Sequence, residues 1–500
     1  MKVMLVFPPR GFTSKNAMPH LGLAYLAAVL EENDIQVEIL DAQVERLSWK
    51  DLKKKYLQSK PDIVGISSLT EMRFESFKSA QIAKKSLPES IVIMGGPHAS
   101  LSAHDTLLNV PSVDIIVRGE GEYTLLETCK TLENNENLES VKGISYRENG
   151  KEIIHNDSRP LIKNLDTLPF PAYHLLPIEK YNFKLNVPGV GKLSALNVIT
   201  SRGCPIGCAF CATSRMLGKK WRARSPSNVL DELEYLIETY GIKAIWFSDD
   251  IFTMNKKRVM EICDGIIDKG LDIKFTCSIR VDTVDKELLS KMKEAGCYSI
   301  FYGVESGSQR ILDEIIEKKI SIEQIKKVSN WLNELEILNN PSYIASFPDE
   351  TNEELDKTIN LMHELGGKAS FSFLKIYPGT RIEEIAKEKG VLPKDFSWAK
   401  ESDMRKIFSL PSAQGDAPIF IDKLSLEELV KIGIEWAESP ESYEYPLFKR
   451  AFKTLKEVRS IEDLKRIFII GKVYIKYKYL DVIKSAAQRG NRNGQHKKVV

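Results

Sequence analysis

No stretch of this sequence approaches the ~18–20 consecutive apolar residues that a membrane-spanning helix needs. No charged-then-apolar leader opens it either: Met1-Lys2-Val3-Met4-Leu5-Val6-Phe7 runs straight into Pro8-Pro9 and is too short for a signal h-region. Neither sign of charge dominates, since 71 basic and 69 acidic side chains leave a formal charge of +2, and no global field argues for a nucleic-acid partner. A disulfide framework is missing too. Three of the seven cysteines are clustered, and the other four, Cys129, Cys263, Cys277 and Cys297, lie scattered in apolar surroundings that mark them as core. The expected home is a reducing cytoplasm. Seven histidines supply no pair suited to acid–base work, so any chemistry must rest on other groups. What remains is an ordinary globular composition, 43% hydrophobic and 28% charged, with length for two to four domains.

Against that background the segment Ser201-Arg202-Gly203-Cys204-Pro205-Ile206-Gly207-Cys208-Ala209-Phe210-Cys211 stands out. Its C-x-x-x-C-x-x-C spacing supplies three thiolates from one short loop. An electron-transfer four-iron cluster is closed by four cysteines, and a structural zinc site also wants four ligands. A cluster held by three keeps one iron open for something else. The competing readings are a zinc loop completed by a distant Cys or His, and three incidental core cysteines. Gly203, Pro205 and Gly207 favour a tight loop wrapped around a cluster.

The rest of the chain divides into four parts. Residues 1–135 alternate short β-branched runs with amphipathic stretches, which predicts a Rossmann-like, doubly wound parallel sheet with strands at 3–7, 37–40, 63–67, 91–94 and 114–117. Ligands of such sheets sit at the carboxyl ends of the strands. Those ends are small and polar here: Pro8-Pro9, Ser67-Ser68-Leu69-Thr70, Gly95-Gly96-Pro97-His98 and Gly119-Glu120-Gly121-Glu122. Residues 136–195 read as a linker with a hairpin at Asn149-Gly150 and an extended, proline-rich crossing segment at 165–173.

From 196 to 392, strands alternate with helices about every 30 residues, the pattern of a partial (β/α)6 barrel. Strands are expected near 197–201, 244–248, 274–279, 299–303, 340–345 and 370–376, with the cysteine loop following the first. The other strand ends carry Asp249 and Asp250, Arg280 and Asp282, and Gly303-Val304-Glu305-Ser306-Gly307-Ser308. Carboxylates so placed accept hydrogen bonds from ribose hydroxyls or an ammonium group, and an arginine can hold a carboxylate bidentately. Either Asp249 or Asp250 could instead cap the helix that begins near Asn255. Residues 393–500 read as a C-terminal helical domain with a flexible tail after Gly490. Within it, residues 467–480 combine an apolar body with lysines and tyrosines, as in a helix that rests on a membrane surface or is buried with its lysines snorkelling.

The cysteine loop, with Phe210 at the aromatic position before the third cysteine, resembles the signature of the radical S-adenosylmethionine superfamily. That resemblance implies a [4Fe-4S] cluster on Cys204, Cys208 and Cys211, S-adenosylmethionine bound at the open iron, and reductive cleavage to a 5'-deoxyadenosyl radical. Implied S-adenosylmethionine contacts are Phe210, Asp249, Arg280, Glu305 and Ser306, although Asp249 stands where many relatives carry a Gly-Gly-Glu phrase.

The succession "PHLGLAYLAAVL", "GISSLT", "GGPHAS" and "RGEGE" resembles the cobalamin-binding domain fused to one branch of these enzymes. Implied cobalamin contacts are Ser67, Ser68, Leu69, Thr70, Glu71, Gly95, Gly96, His98, Gly119, Glu120 and Gly121. The cofactor is expected base-off with no histidine ligand, because neither His20 nor His98 has Asp two residues before and Gly three after. The implied activity is methyl transfer, through methylcobalamin, to an unactivated carbon after hydrogen abstraction. Two alternatives stay open: a tetrapyrrole-cyclase-like reaction with both cofactors but no methyl transfer, and a non-catalytic cobalamin and iron–sulfur binding protein. Implied partners are a small-molecule, lipid or tetrapyrrole-like substrate and an external electron donor of flavodoxin or ferredoxin type.

Overall fold

The β-branched runs of the N-terminal region form β1 (Lys2–Phe7), β2 (Gln36–Asp41), β3 (Ile63–Ser67), β4 (Ile91–Gly95) and β5 (Ile115–Val117) in a computed structural model that describes residues 1–9, 17–150, 152–404, 407 and 417–438. Each lies within one residue of its expected bounds. All five are parallel and lie in the order β2-β1-β3-β4-β5. Successive side chains alternate between two cores, as a two-faced sheet requires: Val3, Leu5 and Phe7 pack beneath the helix Leu21–Glu31, while Met4 and Val6 pack with Tyr56 and Phe77 on the other side. Strand order reverses between β1 and β3, the position at which sheets of this kind take their ligands.

The hairpin of β6 (Ile144–Glu148) and β7 (Glu152–His155) turns through Asn149 and Gly150, both left-handed at φ 47° and 73°. It does not stand apart as a linker element. β6 pairs antiparallel with β5, so the first sheet extends to seven strands and ends at His155. The proline-rich segment then crosses between the sheets, anchored by Ala172 N to Ala24 O (3.0 Å) and by the Tyr173 hydroxyl to buried Glu232 (2.8 Å).

A second sheet follows. It is built from β8 (Lys184–Val187), β9 (Gly191–Val198), β12 (Ala244–Phe247), β13 (Lys274–Ile279), β14 (Cys297–Glu305), β15 (Leu338–Ala345) and β16 (Ser370–Phe373), while the two-residue β10 (Ser201–Arg202) and β11 (Arg222–Ala223) pair as a separate hairpin. Its order, β16-β15-β14-β13-β12-β9-β8, contains the six expected parallel strands plus an antiparallel edge strand, β8. β9 stops at Val198 rather than at Ser201 because Thr200 and Ser201 turn their amides toward Asp249.

Helices cover the outer face of this open barrel. Asn255, not either aspartate, caps the helix Lys256–Asp268, and Ser225 caps Pro226–Tyr240. Leu233, Ile262, Leu288 and Met292 from these helices and their neighbour bury against Ile245, Phe247, Phe275 and Ile300 of the strands. The four scattered cysteines are all buried, as expected. The helix Leu426–Glu438 packs Leu429 and Ile432 onto Leu355, Phe371 and Phe373. The segment 467–480 and the tail after Gly490 lie outside the described residues. Among those described, no helix is long and apolar enough to cross a membrane.

Candidate active site

The cysteine loop leaves the carboxyl end of the barrel's first parallel strand and is held from three sides. Gly203 and Gly207 are left-handed (φ 87° and 75°), and a Cβ on Gly203 would lie 2.5 Å from the Lys220 carbonyl of the returning hairpin. Ala209 N donates to Ile316 O (3.0 Å), and Cys211 N to Cys208 O (3.0 Å). Cys204, Cys208 and Cys211 are partly exposed, unlike the four core cysteines. Burial pushes the Cys208 thiol up to about 11, opposed by the nearby Lys318 ammonium, and also raises that of Cys211. Among the described residues, no three of His, Cys, Asp or Glu converge on one point as they would round a single ion. Three half-exposed thiols on one glycine-rich loop are the donor set that a four-iron cluster with an open iron asks for.

The rim of the barrel beside this loop carries paired charges. β14 ends on Glu305, a left-handed residue (φ 65°) whose Oε1 accepts from Lys318 Nζ at 2.6 Å; the same ammonium donates to Gly303 O at 2.7 Å. Gly303 makes room for this pair, because a Cβ there would overlap both Glu305 Oε1 and Lys318 Nζ. Lys318 follows the π-helical turn Ile311–Ile315 and sits between left-handed Glu317 and Lys319, each at φ 54°. Such local strain persists where surrounding structure overdetermines it. Arg280 grips Asp282 with two hydrogen bonds (2.8 and 2.9 Å) and donates a third to Lys318 O (2.7 Å). Glu305, Lys318 and Arg280 all lie close enough to bias the Cys208 thiol.

Two expected S-adenosylmethionine contacts have other work here. The Asp249 carboxylate is buried and accepts from the Thr200 amide (2.6 Å) and hydroxyl and from the Ser201 amide (3.2 Å) and hydroxyl (2.9 Å). With its acceptor sites filled it fixes the strand end that launches the cysteine loop. Ser306 is fully buried, its Oγ placed between Thr358 Oγ1 (3.3 Å) and the Ser308 amide (3.1 Å), so it braces the turn after β14. Phe210 packs edge-on against Phe347, with ring centroids 6.4 Å apart. Asp250 stands beside the loop and accepts from Thr213 Oγ1 at 3.2 Å.

At the carboxyl edge of the first sheet, neutral groups join the loops after β3 and β4, while the buried Arg73 guanidinium donates to Thr70 O (2.6 Å). The loops after β3 and β4 are zipped together by Ser68 N to Gly95 O (2.8 Å) and His98 N to Ser68 O (3.0 Å). Gly96, at φ 90°, permits this approach, since a Cβ there would lie 2.9 Å from Ser68 O. The buried Ser68 hydroxyl has no hydrogen-bond partner among the described residues. His98 is buried, which drives its pKa well below the ordinary value, and its two ring nitrogens face Thr70 Oγ1 (3.3 Å) and Ser102 Oγ (3.1 Å). An unpartnered buried hydroxyl beside glycines at a strand-order reversal suits a large amide-bearing ring such as cobalamin.

Two acidic residues expected at that edge point across to the barrel instead. Glu120 is buried and accepts from Arg202 Nη1 (3.0 Å), Arg222 Nη1 (2.9 Å) and the Ile162 amide (2.8 Å), while Glu122 pairs with Arg202 Nη2 at 2.7 Å. Glu120 is therefore an interdomain bolt, set on the strand that precedes Cys204. Gly119 N donates to Ser100 Oγ (3.0 Å), and Gly121 packs against Leu26. Glu71 accepts from the Tyr377 hydroxyl at 2.6 Å, joining the loop after β3 to the loop after β16. Lys318 and Arg222 are not legible as site residues in the sequence, because each acquires its role from a partner outside its own segment.

The matches to known proteins cover both halves. Residues 198–362 match the Radical SAM superfamily model, and residues 10–128 match the B12 binding domain model. The chain is 40% identical over 417 residues to an uncharacterized methyltransferase of Pyrococcus horikoshii, covering 82% of this chain and 88% of that protein. It is 28% identical over 373 residues to the anaerobic magnesium-protoporphyrin IX monomethyl ester cyclase of Rubrivivax gelatinosus, covering 73% and 66%. Among solved structures, the radical S-adenosylmethionine methyltransferase TsrM of Kitasatospora setae, with cobalamin and a [4Fe-4S] cluster bound, superposes with a TM-score of 0.71 at 17% identity over 96% of this chain and 99% of that one.

Proposed function

The chain belongs to the radical SAM superfamily, in the branch with an N-terminal B12-binding domain, and within it we propose a methyltransferase that acts at an unactivated carbon of a small molecule. Cys204, Cys208 and Cys211 hold the [4Fe-4S] cluster in this reading, and the crevice between β1 and β3 holds cobalamin without a histidine ligand. When bound, the cluster supplies the electron that cleaves S-adenosylmethionine and cobalamin carries the methyl group, so the protein's task is alignment and exclusion of water.

The side chains divide that task. Lys318 fixes one oxygen of Glu305 and leaves the other to accept from a ribose hydroxyl or the ammonium of S-adenosylmethionine. Arg280, oriented by Asp282 and the Lys318 carbonyl, presents positive charge toward a carboxylate. Ser68 offers a free hydroxyl to an amide of the corrin rim. The Glu71–Tyr377 hydrogen bond supports the reading, because it joins the loop after β3 to the loop after β16. Burial, Glu71 and, last, the neighbouring Cys211 all raise the Tyr377 pKa, which puts this contact beside the cysteine loop.

Anaerobically reconstituted protein given cobalamin, dithionite and S-adenosylmethionine is expected to form both 5'-deoxyadenosine and S-adenosylhomocysteine. 5'-Deoxyadenosine alone would favour the cyclase-like reaction, and neither product would favour a non-catalytic role. Cys208→Ala is expected to abolish cluster absorbance and both products.

A further inference from the structure

The fifty residues from Tyr181 to Leu230 contain eight Lys or Arg and no Asp or Glu, in a chain whose 71 basic and 69 acidic side chains nearly balance as a whole. The cysteine loop lies within this acid-free segment. Three of the eight cations are neutralised in the fold: Arg202 by Glu120 and Glu122, Arg222 by Glu120, and Arg224 by Glu232. Lys184 and Lys192 lie on β8 and β9 at the far, amino-terminal end of the barrel.

The remaining three, Arg215, Lys219 and Lys220, are exposed, and no ion pair engages them among the described residues. They sit on the wall of the cysteine loop itself. Lys219 Nζ would come within 3.4 Å of a Cβ on Gly207, the residue before Cys208, and Arg215 belongs to the turn Thr213–Met216 that follows Cys211. The acids packed nearest are already engaged: Glu120 and Glu122 by arginines, Asp249 by Thr200 and Ser201, and Asp250 by Thr213.

We propose that Arg215, Lys219 and Lys220 form the docking surface for an acidic one-electron carrier protein. The patch is cationic, solvent-facing and adjacent to the cluster loop, so charge complementarity steers an acidic partner to the shortest path into the site. On docking, one electron leaves the carrier's reduced centre, which is oxidised by one equivalent, and reduces the cluster by one equivalent; no bond to protein forms or breaks. The proposal rests on the assignment of the cluster to Cys204, Cys208 and Cys211.

Carrier binding tests it without reference to turnover. Cluster-loaded enzyme is titrated anaerobically by calorimetry with oxidised flavodoxin in one arm and oxidised ferredoxin in the other. At least one carrier should bind, and Arg215→Glu/Lys219→Glu/Lys220→Glu should weaken it about tenfold or more. The milder Lys219→Gln/Lys220→Gln should weaken it less, higher salt should weaken the wild type, and Lys184→Glu/Lys192→Glu should change nothing. The surface is refuted if neither carrier binds, if the triple reversal binds like wild type, or if the distal pair matters as much. Iron and sulfide content is measured first. A wild type without cluster would overturn the cluster assignment and the proposal with it, whereas a loaded enzyme indifferent to the three cations would overturn the docking surface alone.

Discussion

The loops at the carboxyl ends of the two sheets meet through Glu71 and Tyr377, and the chemistry of those ends differs. At the barrel rim, charges are dense and paired: Lys318 with Glu305, Arg280 with Asp282. At the edge of the first sheet, Ser67, Ser68, Thr70 and His98 offer hydroxyls and an uncharged imidazole among glycines. Buried ion pairs add little to stability once desolvation is counted. In the proposed reading, the rim pairs Lys318–Glu305 and Arg280–Asp282 face a zwitterionic ligand with ammonium, carboxylate and sulfonium groups. In the same reading, the hydroxyls of Ser67, Ser68 and Thr70 face a bulky ligand bounded by amides. One strand-end geometry serves two recognition problems by changing only the loop residues.

Removing half of a rim pair should sharpen this contrast most. Lys318→Met strands the buried Glu305 carboxylate and is expected to destabilise the barrel by about 3–5 kcal/mol in denaturant unfolding, while cobalamin retention stays near wild type. A cost below about 1 kcal/mol would erase the distinction between the two edges.

Next comes Glu350, in the turn after β15. Burial raises its pKa from 4.5 to about 7, opposed by the Phe347 and Ser346 amides that donate to its Oε2 at 3.1 and 2.7 Å. The folded state binds this proton more tightly than the unfolded chain does. Its contribution is therefore full below pH 4.5 and lost as pH rises through about 7. Wild-type stability should fall by up to about 3 kcal/mol across that window. Glu350→Gln should flatten the difference between unfolding curves taken at either end of it.

The neutral edge should respond more gently. Gly96→Ala forces a side chain into a left-handed backbone beside Ser68 O, at a cost of about 1–2 kcal/mol, and should reduce the cobalamin retained after reconstitution as read by its visible absorbance. Smallest is Ser68→Ala, where two observables should part. Removing an unpartnered buried hydroxyl should leave the cofactor-free protein as stable or up to about 1 kcal/mol more so, while cobalamin affinity drops severalfold.

Much of this arrangement is legible in the sequence because it is local. β1 to β5 appear as short β-branched runs, and β13 was expected at its observed bounds, since period-two burial writes itself into consecutive residues. The cysteine loop is likewise complete within eleven residues. Asp249 shows the limit. A carboxylate at a strand end looks the same whether it meets a ligand or, as here, Thr200 and Ser201 from the preceding strand 48 to 49 residues earlier. Glu120 binds arginines 82 and 102 residues away, and no local pattern distinguishes that from a strand-end turn beside a ligand. The hairpin at Asn149-Gly150 was readable as a turn, yet which sheet it would join depended on β5.

The hydrogen bond from Tyr377 to Glu71 spans 306 residues of sequence. A chain emerging from the ribosome can complete its first sheet long before the sixth parallel strand of the barrel exists, and domains generally fold as units in that order. The Glu71–Tyr377 link is thus made only after the sixth parallel strand has emerged, and the first sheet's carboxyl edge lacks that contact until then. A nascent chain paused before Tyr377 should show a folded first sheet whose Glu71 loop is more open to solvent than in the finished protein.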